Sequence, residues 1–410
     1  MPFSSTAFQN PPPKLYAWSA ANIEPSSSSS PPLPENPKGS RGREIFIVGG
    51  GNIGRLFAVS LARLPSSPSV TLVLNSFEKL KDYTSSGIRI VTPPSANFTS
   101  APISLEYWTT NPPPSGPIRH PPPLLETVIV ATKVTDAVEA TLNLRGHLGA
   151  RSVVAMAQNG FCPFWSPGGE EILERGWGSV GDAPTFMACV VSHGLYADAA
   201  LSGTSVHASV GDVLFGPVSS ESTVPEDSSC SYLTDSLLRA PLLNAKAIAP
   251  TTLWLSQLEK LVYNSTINPL TALLRCPNGA LISTPTRSLV IDNLLTETSQ
   301  ILQPFIKHRN PFPSSETLIS PASFSQRSLR AKLQSFIPRV ARNRSSMLQH
   351  VTAGQPTEIR AFNGWLVDRA AELDPGFEPV LHRRLVWFVE GAGPDDEPWD
   401  DEVLRRRLLS

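Results

Sequence analysis

One short passage constrains this chain more than any other. Glu44–Val48 reads EIFIV, an apolar, β-branched strand signal. It runs straight into Gly49-Gly50-Gly51-Asn52-Ile53-Gly54, then RLFAVSLARL, whose helical periodicity stops at Pro65. Val70–Leu74, VTLVL, is a second buried strand. Strand, glycine turn, helix and strand in this order make one parallel βαβ unit. Gly49 permits the tight turn, and Gly51 lets the backbone approach a pyrophosphate. Gly54 lets the helix pack close to the strand, and the helix's first N–H groups face the phosphates. A glycine-rich turn without a ligand is the plain alternative. The flanking strands and helix favour dinucleotide binding, with Gly49, Gly51, Asn52, Ile53 and Gly54 as cofactor contacts.

The end of the second strand bears on which dinucleotide. A carboxylate there would hold a ribose 2′-OH, as NAD binders require. Asn75 stands at that position, with Lys79 and Lys81 downstream and Glu78 the nearest carboxylate. NADP is therefore favoured over NAD, with Asn75 and Lys79 as candidate contacts. Surface lysines with no role are the alternative for Lys79 and Lys81.

Strands alternate with helices as far as residue 249, and the remainder is almost wholly helical. Leu125–Ala131 is a strand that leads to Lys133 and a helix over Asp136–Leu144. Ser152–Ala157 is another, ending in Gln158-Asn159-Gly160. Ligands in open α/β sheets sit outside the carboxyl ends of the strands, where Lys133 and Asn159 both fall. A turn-forming Asn-Gly is the structural alternative for Asn159. Thr185–Ser192, Ser205–Ser209 and Asp212–Phe215 are expected to finish the same sheet. His193, at a strand end, reads as structural.

The fold class expected is therefore α/β: a Rossmann-type dinucleotide-binding domain over 44–249, followed by an all-α domain over 250–390. A Pro- and Ser-rich arm over 1–43 reads as disordered, 92–123 as a Pro-rich insertion, and 391–410 as a charged, solvated tail. The 41 prolines, about twice the usual ~5%, cluster in these segments and mark loops.

Within the helical part, Lys260, Asn264 and Asn268 recur at i, i+4 and i+8. They form one polar stripe on a mostly apolar stretch expected to break near Pro269 and resume. A lysine in register with neutral amides suits the wall of a small-molecule site, although a solvated stripe is the bland reading. Asn343 and Ser346 share a face further on, and Glu358 is expected to open another helix, where the helix dipole alone would favour a carboxylate.

Several segments together resemble the ketopantoate reductase (2-dehydropantoate 2-reductase) family, fungal type. They are the glycine turn at Gly49–Gly54, Lys133 after LLETVIVAT, QNG at Gln158–Gly160 and SHG at Ser192–Gly194. To these add KLxxNxxINPLTALLxCPNG at Lys260–Gly279, NxSSMLQ at Asn343–Gln349 and GxxTEIxxxNG at Gly354–Gly364. The resemblance implies an NADPH-binding domain, a helical substrate domain and an active site in the cleft between them. It implies reduction of ketopantoate to (R)-pantoate for pantothenate synthesis, or of another 2-keto acid, or a non-catalytic paralogue. By the same resemblance Lys260 is the general acid, and Glu358 and Asn159 complete the catalytic set. Asn264, Asn268, Asn343 and Ser346 hold the substrate, and Lys133 lies near the cofactor. This sequence departs from the family at Asn75, where arginine often stands, and in the bulky FCPFWSPGG after QNG.

These roles fit the chemistry. Hydride transfer to a 2-keto acid builds negative charge on oxygen, which an adjacent ammonium stabilises and protonates. A compact lysine charge, whose pKa falls on desolvation, suits that task. The four scattered cysteines show no metal-ligand spacing, so no metal is expected. Net charge is -1, which gives no basic field for nucleic acid, and no apolar run reaches the ~20 residues of a membrane span. A homodimer is compatible with all of this. The cytoplasm is the expected compartment. The serine-rich arm leaves a mitochondrial alternative that its prolines oppose.

Overall fold

The computed structural model describes residues 8, 11–23, 43–66, 68–95, 97–165, 168–219, 228–312 and 319–409. They form two compact units, residues 2–253 and 254–410.

The first unit opens with β1 (Tyr16–Trp18), β2 (Glu44–Val48), α1 (Asn52–Ala62), β3 (Ser69–Leu74), α2 (Phe77–Ser86), β4 (Arg89–Val91), β5 (Phe98–Ser100) and β6 (Ser104–Thr109). It continues through β7 (Thr127–Val130), α3 (Val134–Asn143), β8 (Val153–Met156), α4 (Gly168–Trp177), β9 (Thr185–Val191) and β10 (Gly194–Ala197). It closes with β11 (Thr204–Ser209), β12 (Val213–Pro217), α5 (Ser229–Arg239) and β13 (Ala245–Ala247). Nine strands make one sheet, in the order β1-β6-β3-β2-β7-β8-β9-β12-β13. From β6 to β9 every neighbouring pair is parallel. Strands of such a sheet are covered on both faces and read as continuous apolar runs. All four residues of β7 and all four of β8 are buried accordingly. Chain order reverses between β2 and β7, which places the glycine turn and the end of β7 at the switch point of the sheet.

Three expectations for this unit need correction. Residues 92–123 are not simply an insertion, because β6 pairs in parallel with β3 inside the main sheet. The surrounding prolines hide that role in the sequence, and all six residues of β6 are only half-buried. The arm is ordered over 11–23: β1 adds antiparallel to β6, and Trp18 packs edge-on against Phe77 and Tyr107. Residues 24–42, with the serine run, lie outside the described residues, as do 220–227 of the polar loop before α5. Finally, β11 leaves the main sheet for a second one, β10-β11-β4-β5. Gly203, at φ +72, comes so close to Gly87 that an added Cβ would lie 2.1 Å from the Gly87 oxygen. That approach lets the Arg89 N–H reach the Gly203 carbonyl at 3.1 Å and start the parallel β11–β4 ladder.

The second unit contains α6 (Pro250–Leu274, within which the units divide), α7 (Pro285–Arg309), α8 (Gln326–Phe336) and α9 (Ser346–Thr352). After them come α10 (Trp365–Leu373), α11 (Val380–Glu390) and α12 (Asp401–Leu408). Helix starts carry the expected caps: Thr284, Ser325, Ser345 and Asp400 each accept a first-turn N–H, and Pro285 opens α7. The core stacks Trp254 on Phe305, with Trp365 edge-on to the same ring. The charged tail is more than a solvated end. Within α12, Leu404 and Leu408 are buried, and Asp401 bonds the Arg287 guanidinium at 2.7 Å. Arg405, Arg406 and Arg407 stay exposed as expected.

Candidate functional site

In the first unit, the candidate residues stand past the carboxyl ends of β2, β3, β7 and β8. Gly49, at φ +120, turns the chain out of β2, and a Cβ there would meet the Ala131 oxygen at 2.6 Å. Gly54 fits only without a side chain, since a Cβ would sit 1.9 Å from the Gly49 oxygen. A Cβ on Gly51 would meet nothing within 4 Å. Gly51 is therefore required by no neighbour in the fold, and its open face lies at the start of α1, where N–H groups are available to an anion. Ile53 packs against the core, and Asn52 opens α1.

The charge around this turn is one-sided. Lys79 donates to Asn75 Oδ1 at 2.9 Å, which ties both to the end of β3. Burial lowers the pKa of Lys79, and the nearby Arg55 and Lys133 charges lower it further. Arg55 is only 5% exposed; it bonds Asn52 Oδ1 at 2.6 Å and lies over the Tyr83 ring. Its Nε is buried and has no hydrogen-bond partner among the described residues. Burial depresses the Arg55 pKa, chiefly by desolvation. Two cations bearing on a third, with an unmet buried donor beside them, fit an anionic ligand such as a phosphate. Sequence reasoning missed Arg55, which reads as an ordinary helix cation. Its place directly after Gly54 was the one available signal.

Lys133 caps the start of α3, and Asn159 follows β8, with Gly160 at φ +85 completing the turn. Beside Asn159, the buried Gln158 amide oxygen has no hydrogen-bond partner among the described residues. The bulky segment after QNG packs inward, with Cys162, Phe164 and Trp165 buried and Phe164 stacked on Phe186. Its Ser-Pro pair lies outside the described residues. His193 is structural, as expected: Nδ1 accepts the Gly211 N–H at 3.0 Å and lies 2.9 Å from His207 Nε2. Its Nε2 faces the Leu243 oxygen at 2.9 Å.

In the second unit, Lys260, Asn264 and Asn268 all lie on α6, which does not break at Pro269 but continues to Leu274. Asn268 is buried, while Lys260 and Asn264 keep partial exposure. Although the Lys260 residue is partly exposed, its ammonium is crowded by protein. Desolvation brings its pKa down to about 8, and the Glu358 carboxylate partly offsets the fall. Glu358 itself is 6% exposed. The structure thus brings Lys260 and Glu358 together from two separate motifs. Glu358 does not begin a regular α-helix: it precedes Ile359 and a π-helical turn, Arg360–Gly364. Such turns recur at functional sites.

Two further contacts hold the motifs against one another. The CPNG segment pairs with the stretch before α9, through Asn278 N–H to the Asn343 oxygen at 3.0 Å and Gly279 N–H to the Ala341 oxygen at 2.9 Å. This pairing keeps 341–345 out of helix, so α9 begins only at Ser346 and Asn343 lies before it rather than on its face. Thr271 of α6 bonds the Ser345 hydroxyl at 2.7 Å, one residue before Ser346. Asn343 and Ser346 are partly exposed beside these anchors. Among the described residues no group of three or more His, Cys, Asp or Glu could hold a metal, and no helix is long and apolar enough to cross a membrane.

Comparison with known proteins matches both units. The family model Ketopantoate reductase PanE/ApbA matches residues 45–220, and its C-terminal companion matches residues 252–375. A ketoisovalerate reductase of Gibberella fujikuroi is 37% identical, across 97% of this chain and 96% of that protein. One from Beauveria bassiana is 33% identical with the same coverage. A probable 2-dehydropantoate 2-reductase of Schizosaccharomyces pombe is 26% identical over 84% of this chain and 95% of its own. Among solved structures, a PanE/ApbA family ketopantoate reductase from Ralstonia eutropha has TM-score 0.60 at 18% identity, covering 89% of this chain and 99% of its own. D-mandelate dehydrogenase with NADH and anilino(oxo)acetate has TM-score 0.62 at 16% identity, covering 88% and 99%. At such identities the structural likeness establishes the fold.

Proposed function

We propose a function from a premise that the two family models establish: the chain belongs to the ketopantoate reductase family. It is an oxidoreductase that reduces a branched 2-keto acid, with 2-ketoisovalerate as its substrate and 2-hydroxyisovalerate as its product. The near full-length identity to ketoisovalerate reductases supports that substrate. The chemistry rests on one observation, the desolvated Lys260 ammonium beside Glu358 on a helix that also carries Asn264 and Asn268.

The cofactor proposed is NADPH. The residues fit it: an open face at Gly51, the N-terminus of α1, and the Arg55, Lys79 and Lys133 charges with no carboxylate at Asn75. Bound there, NADPH supplies the hydride. Gly49–Gly54 and α1 would hold its pyrophosphate, Arg55 and Lys79 its 2′-phosphate, and Lys133 and Asn159 would lie towards the reacting end. Lys260 stabilises the oxygen that gains charge and donates its proton to it. Glu358 keeps the lysine protonated near neutral pH by opposing the desolvation. Asn264, Asn268, Asn343 and Ser346 orient the substrate carboxylate without adding a second charge.

Ketopantoate is the second reading, favoured by the family models and the Schizosaccharomyces pombe relative. Ketopantoate carries a hydroxymethyl group in place of the hydrogen on the carbon beside the keto carbon, so it differs by one carbon and its hydroxyl. A site built to bond a hydroxyl rejects the analogue lacking it by about 10⁴-fold, while an apolar site discriminates by only about 10²-fold. NADPH oxidation with the two acids, compared as kcat/KM, separates the readings. We expect 2-ketoisovalerate to be preferred at least tenfold. A tenfold preference for ketopantoate reverses the choice. Rates with both acids no higher than those of Lys260→Ala refute the enzyme reading.

A further inference from the structure

Pro269 sits inside α6. Proline has no N–H, so the Ser265 carbonyl, four residues earlier, loses its helical donor. Ser265 is fully buried, so an unmet carbonyl there would bear the full cost of its desolvation. The missing donor comes from outside the helix: Asn363 Nδ2 donates to the Ser265 oxygen at 2.9 Å. Asn363 lies in the π-helical turn Arg360–Gly364, five positions after Glu358, as Ser265 lies five after Lys260. The second amide hydrogen of Asn363 points to His382 Nδ1 at 3.0 Å, and His382 Nε2 lies 3.0 Å from Thr298 Oγ1. Thr298 spends its own hydrogen on the Leu294 oxygen, so it accepts from His382, which is neutral and protonated on Nε2. Asn363 and His382 are both fully buried.

We propose that Asn363 is a positioning residue: its amide replaces the helical donor that Pro269 removes and so holds the Lys260–Asn264–Asn268 row in register with Glu358. His382 and Thr298 fix the amide's orientation from behind. The positioning half of the proposal rests on the reductase reading above; the clamp itself does not.

The test is a double-mutant cycle of Asn363→Leu and Pro269→Ala. Alanine at 269 restores an N–H for the Ser265 carbonyl, so it should relieve the need for Asn363. In the wild-type background, Asn363→Leu should raise amide hydrogen exchange over 260–268 at least tenfold. It should also lower kcat at least tenfold while changing the KM for NADPH less than twofold. In the Pro269→Ala background the same substitution should change each quantity no more than twofold. Equal effects in both backgrounds overturn the clamp. Coupling in exchange without coupling in kcat overturns the positioning role. If Asn363→Leu does not fold, Asn363→Ser, whose hydroxyl is too short to span the gap, runs the same cycle. A wild type that reduces no 2-keto acid refutes the reductase reading, and the exchange measurement still decides the clamp.

Discussion

If Lys260 is the proton donor, the alkaline limb of kcat/KM must follow its titration. The pKa falls from 10.5 to about 8, a difference worth roughly 3 kcal/mol between its two protonation states. At pH 7 about nine-tenths of the enzyme then carries the ammonium; at pH 9 about one-tenth does. Reduction should therefore slow about tenfold between those pH values. A lysine titrating at its ordinary value would lose only about 3%. NADPH oxidation at subsaturating keto acid, followed from about pH 6 to 10, reads this directly, because kcat/KM reports the free enzyme. Two variants test the assignment. Lys260→Arg replaces the donor with a group that does not titrate in this range; it should lower the rate about 10²-fold or more and remove the limb. Glu358→Gln removes the carboxylate that raises the lysine, so the limb should move below about pH 8. A wild-type limb above about pH 10, a limb retained in Lys260→Arg, or an alkaline shift in Glu358→Gln would refute the reasoning.

Other residues make independent predictions. Gly51→Ala should fold, losing no more than about 1 kcal/mol from a poorer helix cap, because its Cβ meets nothing within 4 Å. Cofactor titration should nevertheless show affinity reduced at least tenfold; unchanged affinity would mean the open face is not used. Arg55→Gln should weaken NADPH binding at least tenfold and NADH binding less than twofold, measured by nicotinamide fluorescence. His382 titrates at about 4 when folded, below its ordinary 6.5, so the unfolded chain takes up the proton first. Its contribution to stability is full above about pH 6.5 and is lost as pH falls towards 4, amounting to roughly 2 kcal/mol by pH 5. Urea denaturation at pH 7 and 5 should show this loss in the wild type and a smaller one in His382→Gln.

The parallel sheet, its glycine turn and the lysine–amide row were legible in the sequence because each is set by local order. A strand–glycine–helix succession has few topologies open to it, and a spacing of four puts side chains on one helix face. The residues that tertiary structure alone placed are those whose partners lie far along the chain. Arg55 reads as a helix-surface cation until Tyr83 and Asn52 bury it beside Lys79. Residues 104–109 read as part of a proline-rich insertion until β3 offers them a parallel partner. The sequence put Lys260 and Glu358 in separate motifs, and only packing brings the carboxylate close enough to alter the lysine's titration. Pro269 suggested a broken helix, yet α6 continues because Asn363 meets the carbonyl the proline leaves open. Periodicity fixes which face a side chain occupies. Desolvation and the donor for an orphaned carbonyl depend on what the rest of the chain sets against that face.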